Sequence, residues 1–309
     1  MKIHSENVRI LGDGSFALGS LRFGLGAKLV LWFLISMALS LILFRDFWAS
    51  LGIMLSPDWI FGQYHAAPWG VLALCLIFLW LKRKELRQEM SRRISLIFVI
   101  PGAALVGSAI FIPSYQDFLV FQVLLASLGA FVIFFGWGAR IPSILLGIYV
   151  FAISFPLLIQ KFAELPYSMS AIKPLVWIMT GLGFAFENEG QLIHFTTFSG
   201  EPISVAVTSA CAGPATMGVF LSIFALMTLD MPLRPKKAGY MFLFGVGGTW
   251  LQSIIRLLIL MVVAYYLGER AMWMAHSWTI YILFPLWYLI FVYIYFRQTG
   301  HGHQARDRR

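Results

Sequence analysis

Long apolar stretches recur along most of the chain and are separated by short polar segments. Hydrophobic residues make up 60% of the 309 residues and charged residues only 12%, whereas soluble domains contain about 25% charged residues. A helix needs about 20 apolar residues to cross the hydrocarbon core of a bilayer. The pattern therefore predicts an all-α polytopic membrane protein. Its eight expected transmembrane helices are residues 27–45, 67–82, 94–112, 117–137, 142–160, 211–230, 238–267 and 274–296.

Basic residues fall mainly in alternate connecting segments, as is typical of membrane topology. Cytoplasmic loops carry an excess of Lys and Arg, and this bias predicts a protein of the cytoplasmic (inner) membrane with both termini in the cytoplasm. The net charge of +9 then reflects topology, and we expect no nucleic-acid partner. With the N-terminus inside, the outer segments hold only four of the 23 basic residues: Arg45, Lys161, Lys173 and Arg270.

The segment 161–210 is the longest expected outside the membrane, and it is predicted to hold a small amphipathic helix and a β-hairpin. The helix, 171–186, is expected to lie in the membrane interface. Two β-rich runs, 191–198 and 201–208, predict the hairpin. The second run leads directly into the sixth span. The predicted regions are 1–26 (cytoplasmic), 27–160 (N-terminal transmembrane helices), 161–210 (extracytoplasmic), 211–296 (transmembrane helices with the reactive residues) and 297–309 (cytoplasmic tail).

Arg256 lies within the apolar stretch 238–267. A guanidinium stays charged at any physiological pH, so its burial in lipid is costly and such residues usually line a polar, functional cavity. The predicted orientation places it in the outer half of its span. The structural alternative is a charge paired with a backbone carbonyl or with one of three nearby glutamates in the sequence: Glu187, Glu189 and Glu201.

Cys211 is expected at the outer mouth of the sixth span. Thr208 or Ser209 fits the N-cap of that helix, and Pro214 is tolerated in a first helical turn. Free backbone N–H groups at a helix N-terminus favour a thiolate. The alternative interpretation is a small apolar filler, which is the role we expect for Cys75.

His276 opens the last span on the same predicted side, shortly after Arg270. Its imidazole can shuttle a proton near neutral pH. The alternative is an interfacial histidine with its ring among the lipid head groups. His194 is a competing candidate, but it lies in a strand-like run without an obvious charged partner.

A thiol, an imidazole and a guanidinium on three separate spans are the parts of a thiol-dependent acyl transfer. A thiolate attacks a carbonyl, histidine carries the proton, and a fixed cation holds the developing oxyanion. The chain has no HExxH, intramembrane GxSxG or P-loop motif, and we expect no metal and no cofactor. The residues expected around the three reactive side chains are Thr208, Ser209, Gly213 and Gln252.

These residues resemble the exosortase/archaeosortase family of multi-pass membrane transpeptidases. The resemblance covers roughly residues 156–289 and follows the family's order: Ala210-Cys211-Ala212-Gly213, then Arg256, then His276. Two positions depart from the common family pattern. Ala212 stands where serine or threonine is frequent, and Ser253 stands where asparagine is frequent, which indicates a divergent subgroup.

The resemblance implies a substrate and a reaction. The substrate would be an exported protein with a C-terminal signal made of a short motif, one transmembrane helix and a basic cluster. The enzyme would cleave at the motif, form a thioester on Cys211 and transfer the acyl group to a lipid or glycan carrier or to water. Two other functions stay open at this point: a transporter that uses Arg256 as an anion site, and a membrane enzyme that acts on lipid-linked sugars.

Overall fold

The computed structural model describes residues 25–57, 66–90, 96–112 and 116–304. The predicted cytoplasmic segment 1–26 therefore lies outside the described residues except for its last two positions, which already belong to the first helix. The predicted tail 297–309 is described as far as residue 304.

The N-terminal half consists of helices whose apolar side chains pack against one another. The sequence carries few charges here, and no strand occurs in the described part of this half. Short 3-10 turns at Leu96–Phe98 and Gly136–Ala139 precede α5 and α7. The helices are α1 (Leu25–Leu43), α2 (Arg45–Met54), α3 (Ala66–Leu81), α4 (Arg83–Met90), α5 (Val99–Ile110), α6 (Gln116–Phe135) and α7 (Arg140–Phe162).

Three helical stretches are long and apolar enough to cross a membrane: Leu25–Leu43, Phe118–Phe162 and Pro235–Thr299. Three further apolar helices are shorter: Pro68–Leu81, Val99–Ile110 and Pro214–Asp230. The chain is thus mainly helical and has the character of a helical membrane protein. The number of eight spans stays a prediction.

Helix α8 (Glu164–Gly181) occupies the place of the predicted amphipathic helix 171–186. It begins earlier than predicted and also ends earlier, because Gly183 has a φ of 88° that a right-handed helix cannot continue through. One face of α8 is buried within the protein, with Ile172, Leu175 and Met179 each 0% exposed. This face packs against the first part of the long C-terminal helix, Pro235–Gln304.

Three antiparallel strands follow α8, in the order β1 (Phe186–Glu189), β2 (Leu192–Thr196) and β3 (Pro202–Ala206). The two predicted runs contain β2 and β3, which pair with Phe195 opposite Ile203. The sequence analysis missed β1, because only Phe186 of this short, polar strand is buried and no alternation is visible. The inward face of the sheet packs on the same core as α8.

The chain then forms α9 (Ser209–Ala212), α10 (Pro214–Asp230) and α11 (Pro235–Gln304). The predicted sixth span began at residue 211, but Gly213, with a φ of 90°, separates the single turn α9 from α10. Gly268 interrupts α11 with a φ of 81° and a ψ of 178°, values that favour glycine. We name residues 235–267 and 269–304 the first arm and the second arm of α11.

The two arms of α11 lie antiparallel and are joined by polar contacts along their seam. Trp287 Nε1 donates to Thr249 Oγ1 at 3.0 Å, and Gln252 Nε2 donates to the Leu283 carbonyl at 3.0 Å. Arg256 lies next along this seam. The antiparallel packing of the two arms therefore brings Arg256 of the first arm next to His276 of the second arm.

Candidate active site

Cys211 lies in the single helical turn α9, between the end of the sheet and α10. Thr208 stands at the N-cap position but makes no side-chain bond to the backbone of the turn. Its hydroxyl instead donates to the Cys211 sulfur at 3.8 Å. The N–H groups of Cys211 and Ala212 both donate to the Thr208 carbonyl, at 3.0 and 3.2 Å, so these two backbone donors are used within the turn.

Gly213 holds α9 close to the first arm of α11. A Cβ at this position would meet the Oγ of Ser253, so only a glycine allows this approach. Ser253 lies one turn before Arg256 on the same helix. The turn is fixed further by Thr216, whose hydroxyl donates to the Gly213 carbonyl at 2.7 Å. The loop with Cys211 is thereby placed at the level of Arg256.

Arg256 is buried, with only 2% of its surface exposed. Its Nε donates to Thr279 Oγ1 at 3.4 Å on the second arm. Among the described residues it has no ion pair with an acidic side chain, and the three glutamates of the structural alternative are all exposed. Cys211 packs against the same buried cluster as Ile254 and Leu257, the neighbours of Arg256 on the first arm. Arg256 is therefore a buried cation whose contacts in the described part of the chain are to neutral groups of the second arm.

His276 lies on the second arm against the Arg256 guanidinium. One nitrogen, Nη2, is 3.2 Å from the ring Nδ1 and 3.1 Å from Nε2. The lone pairs of an imidazole lie in the ring plane and diverge, and Cε1 occupies the space between them. A nitrogen equally close to both therefore lies over the face of the ring. This arrangement leaves the in-plane positions of the half-buried ring available to a proton donor or acceptor.

The other predicted site residues divide into two groups. Thr208 and Gly213 border Cys211, and Ser209 is buried at the start of α9 with 2% exposure. Gln252 instead joins the two arms of α11 through its bond to Leu283. His194 lies on the outward face of the sheet, where its Nδ1 is 2.7 Å from Ser204 Oγ.

Cys75 has the surroundings that we expected of an apolar filler. It is 5% exposed and belongs to a cluster formed by the N-terminal helices and α10, separate from the cluster that contacts Cys211. Its sulfur contacts the Leu145 carbonyl at 3.6 Å.

The sequence did not predict the contacts that two residues, Thr279 and Ser253, make near the reactive groups. Thr279 receives the Arg256 Nε–H, and its position one turn after His276 could have indicated a shared helix face. Ser253 was noted only as a departure from the family pattern, but it is the side chain against which Gly213 packs. A contact between helices separated in sequence leaves no such local signal.

The described residues contain no group of three or more His, Cys, Asp or Glu side chains placed to hold a metal ion. The chemistry that the described residues offer is that of their own side chains: a thiol, an imidazole and a buried guanidinium. This combination can form and break an acyl–sulfur bond.

Comparison with known proteins identifies the family to which the chain belongs. A model of the transmembrane exosortase family matches residues 59–293. The match begins well before residue 156, so it includes N-terminal helices that carried no motif in the sequence analysis. No curated protein and no solved structure matches the chain. With most of its length covered by the family model, this multi-pass membrane protein belongs to the transmembrane exosortases, a group of cysteine-type transpeptidases.

Proposed function

We propose that the protein is a membrane transpeptidase or peptidase that cleaves the C-terminal sorting signals of exported proteins through a thioester on Cys211. The single observation that carries the proposal is the buried Arg256, which contacts His276 and lacks a carboxylate partner in the described residues, at the level of the turn that holds Cys211. Family membership supports the reaction class.

The proposed reaction has two steps, and His276 carries the proton in both. In the first, His276 accepts the thiol proton and the Cys211 sulfur attacks the carbonyl carbon of the scissile amide. The oxyanion of the tetrahedral intermediate is stabilised by Arg256. The C–N bond then breaks, His276 returns the proton to the leaving amine, and the substrate's transmembrane tail departs.

In the second step an acceptor attacks the thioester. Its hydroxyl or amine, or a water molecule, gives a proton to His276 and forms the new acyl bond, and the Cys211 thiolate leaves and is reprotonated. The acceptor is a lipid or glycan carrier in transfer and water in hydrolysis. The active site faces the extracytoplasmic side, where the motif of a translocated substrate would lie next to its own helix. This side is supported by the distribution of basic residues.

The proposal is tested with a sorting-signal reporter. This reporter is an exported carrier domain fused to the tail of a host protein that ends in a short motif, one apolar helix and a basic cluster. Wild-type protein should convert it to a shorter form, and Cys211→Ala should abolish the conversion. Cys75→Ala is the matched control and should retain it, because Cys75 is buried in a separate cluster. Undiminished conversion by Cys211→Ala would refute the assignment of Cys211 as the nucleophile.

The same reporter separates transfer from hydrolysis. The mass of the released product gives either a free carboxylate or an added acceptor. A thioester that accumulates on Cys211 should be cleaved by hydroxylamine, and no such adduct should form in Cys211→Ala.

A further inference from the structure

The outer edge of β3 presents backbone hydrogen-bonding groups that the sheet does not use. The Val207 N–H donates to the Gln191 carbonyl at 2.8 Å, and the Thr197 N–H donates to the Glu201 carbonyl at 2.8 Å. In an antiparallel pair, successive residues of a strand alternate between facing the partner and facing away. Ile203, Val205 and Val207 therefore face β2, and Ser204 and Ala206 direct their N–H and carbonyl groups away from it.

These backbone groups are accessible. Ser204 and Ala206 are both exposed, and within the described ranges no hydrogen bond reaches their N–H or carbonyl groups. A side-chain contact also joins β3 to β2, since Ser204 Oγ lies 2.7 Å from His194 Nδ1. The edge is therefore a fixed row of two donors and two acceptors.

The two edges of the sheet differ in how they are protected. Natural proteins usually block an exposed edge with charges, a central proline or a bulge. The edge strand β1 carries Glu187 and Glu189. β3 carries no charge, and its proline, Pro202, is at the start of the strand, where it leaves the rest of the edge able to pair. An unblocked edge is a template for another strand.

The open edge leads directly to the reactive thiol. β3 ends at Ala206, and Thr208 and Cys211 follow at once. An extended peptide that pairs with this edge would run toward the turn Ser209–Ala212, which holds Cys211. Strand addition gives affinity through the main chain of the peptide, and side chains then supply specificity.

We propose that the substrate segment on the amino-terminal side of the scissile bond binds as an added β-strand along β3, paired with the backbone of Ser204 and Ala206. The inference rests on the proposed function and names the conformation in which the sorting motif is recognised. A substrate chain that descends from its exported domain to its membrane helix runs in the same direction as β3 runs toward Cys211, so the pairing is parallel.

Proline substitutions test the edge without breaking the sheet. Ala206→Pro removes an N–H that points away from β2, a change that edge strands tolerate. Asn188→Pro is the matched control: Asn188 is exposed, pairs with Ile193 and has its N–H directed away from β2 on the opposite edge. Ala206→Val keeps the N–H and controls for side-chain size.

We expect Ala206→Pro to lower the rate of reporter conversion at least about fivefold, from one lost hydrogen bond and the bulk of the ring. Asn188→Pro should stay within about twofold of wild type, and Ala206→Pro should be slower than Ala206→Val, which retains the N–H. Rates are normalised to the amount of each variant in the membrane and are compared at one temperature below the melting transition of every variant. Equal rates for Ala206→Pro and Asn188→Pro would overturn the proposal.

Photocrosslinking separates this inference from the proposed function, because it needs no catalysis. The photoreactive residue p-benzoylphenylalanine is placed at position 206 or 188 in the Cys211→Ala background, with the sorting-signal reporter co-expressed. Capture from position 206 and not from 188 is expected. If position 206 captures no reporter while the wild-type protein still converts it, the proposed strand pairing along β3 is refuted and the transpeptidase proposal is not. If position 206 captures the reporter but the wild-type protein does not convert it, the transpeptidase proposal is refuted and the proposed strand pairing is supported. Neither capture nor conversion would refute both.

Discussion

The guanidinium Nη2 of Arg256 lies over the imidazole face of His276, 3.2 Å from Nδ1 and 3.1 Å from Nε2. The two residues are on opposite arms of α11, so their contact depends on the reversal of the chain at Gly268. A planar cation on the ring face orients the imidazole and leaves its in-plane nitrogens free to exchange a proton. In the proposed reaction, Arg256 supplies the fixed positive charge that stabilises the oxyanion.

Replacing Arg256 tests whether the planar group or only the charge is needed. A lysine keeps the charge but loses the flat, delocalised group and its fixed set of donors. We expect both Arg256→Lys and Arg256→Gln to lower reporter conversion by about 10²–10³-fold, the effect of losing an oxyanion donor. The initial rate of conversion is the measurement.

Thr279→Val is the control for this experiment. It removes the oxygen that receives the Arg256 Nε–H at 3.4 Å and should cost less than about tenfold, since a single neutral partner is lost. Conversion by Arg256→Lys at the wild-type rate would show that charge alone suffices.

Gly213→Ala should displace Cys211. The substitution places a Cβ against the Ser253 hydroxyl and also requires a φ of 90°, which costs about 1–2 kcal/mol for an L-residue. We expect a lower melting temperature and almost no reporter conversion.

Gly183→Ala separates backbone strain from the contact with Ser253. Gly183 has a φ of 88°, and a Cβ added there would meet no atom within 4 Å, so it shares the strain and lacks the clash. It should lose stability but retain most of its activity at permissive temperature. Equal activity loss in the two variants would argue that strain, and not the approach to α11, is the cause.

Gln252→Met should affect stability more than chemistry. The side chain donates to the Leu283 carbonyl at 3.0 Å and thereby joins the arms, so its loss should cost about 1 kcal/mol. Reporter conversion at a temperature below the melting transition should stay within about threefold of wild type. A loss as large as that of Arg256→Lys would instead place Gln252 in the reaction.

Thiol labelling tests the predicted orientation. A membrane-impermeant maleimide added to intact cells should label Cys211, which is half-buried, and should not label Cys75, which is 5% exposed. Cys75→Ala should keep the signal and Cys211→Ala should remove it, as read by gel shift. Labelling of Cys211 only after the cytoplasmic side is opened would reverse the proposed topology.

Several features were predictable from the sequence because they depend on local composition. Apolar runs predicted the helical membrane class, and the ordered Cys211, Arg256 and His276 predicted the family that the family model confirms. The β-branched runs predicted where β2 and β3 lie. The roles of the three reactive residues stay predictions, since they depend on activity.

Other features depend on contacts between distant residues and left no local pattern. β1 shows no alternation, and the early start of α8 reflects burial against α11 and the sheet. Gln252 was expected in the cavity of Arg256 because it lies one turn away on the same helix. Helical periodicity gives the face of a residue, but the partner on that face is decided by the neighbouring arm, here Leu283.

The sequence by itself determined the membrane class and the family, because hydropathy and motif order are properties of positions along a chain, and it predicted Cys211, Arg256 and His276 as the reactive residues. The tertiary structure alone decided that Arg256 lies over the His276 ring without a carboxylate partner in the described residues, and that Gly213 packs on Ser253. It also decided that β3 keeps an open edge beside Cys211. These relationships arise when the reversal at Gly268 and the break at Gly213 bring separate segments into contact, and only packing in three dimensions selects such contacts.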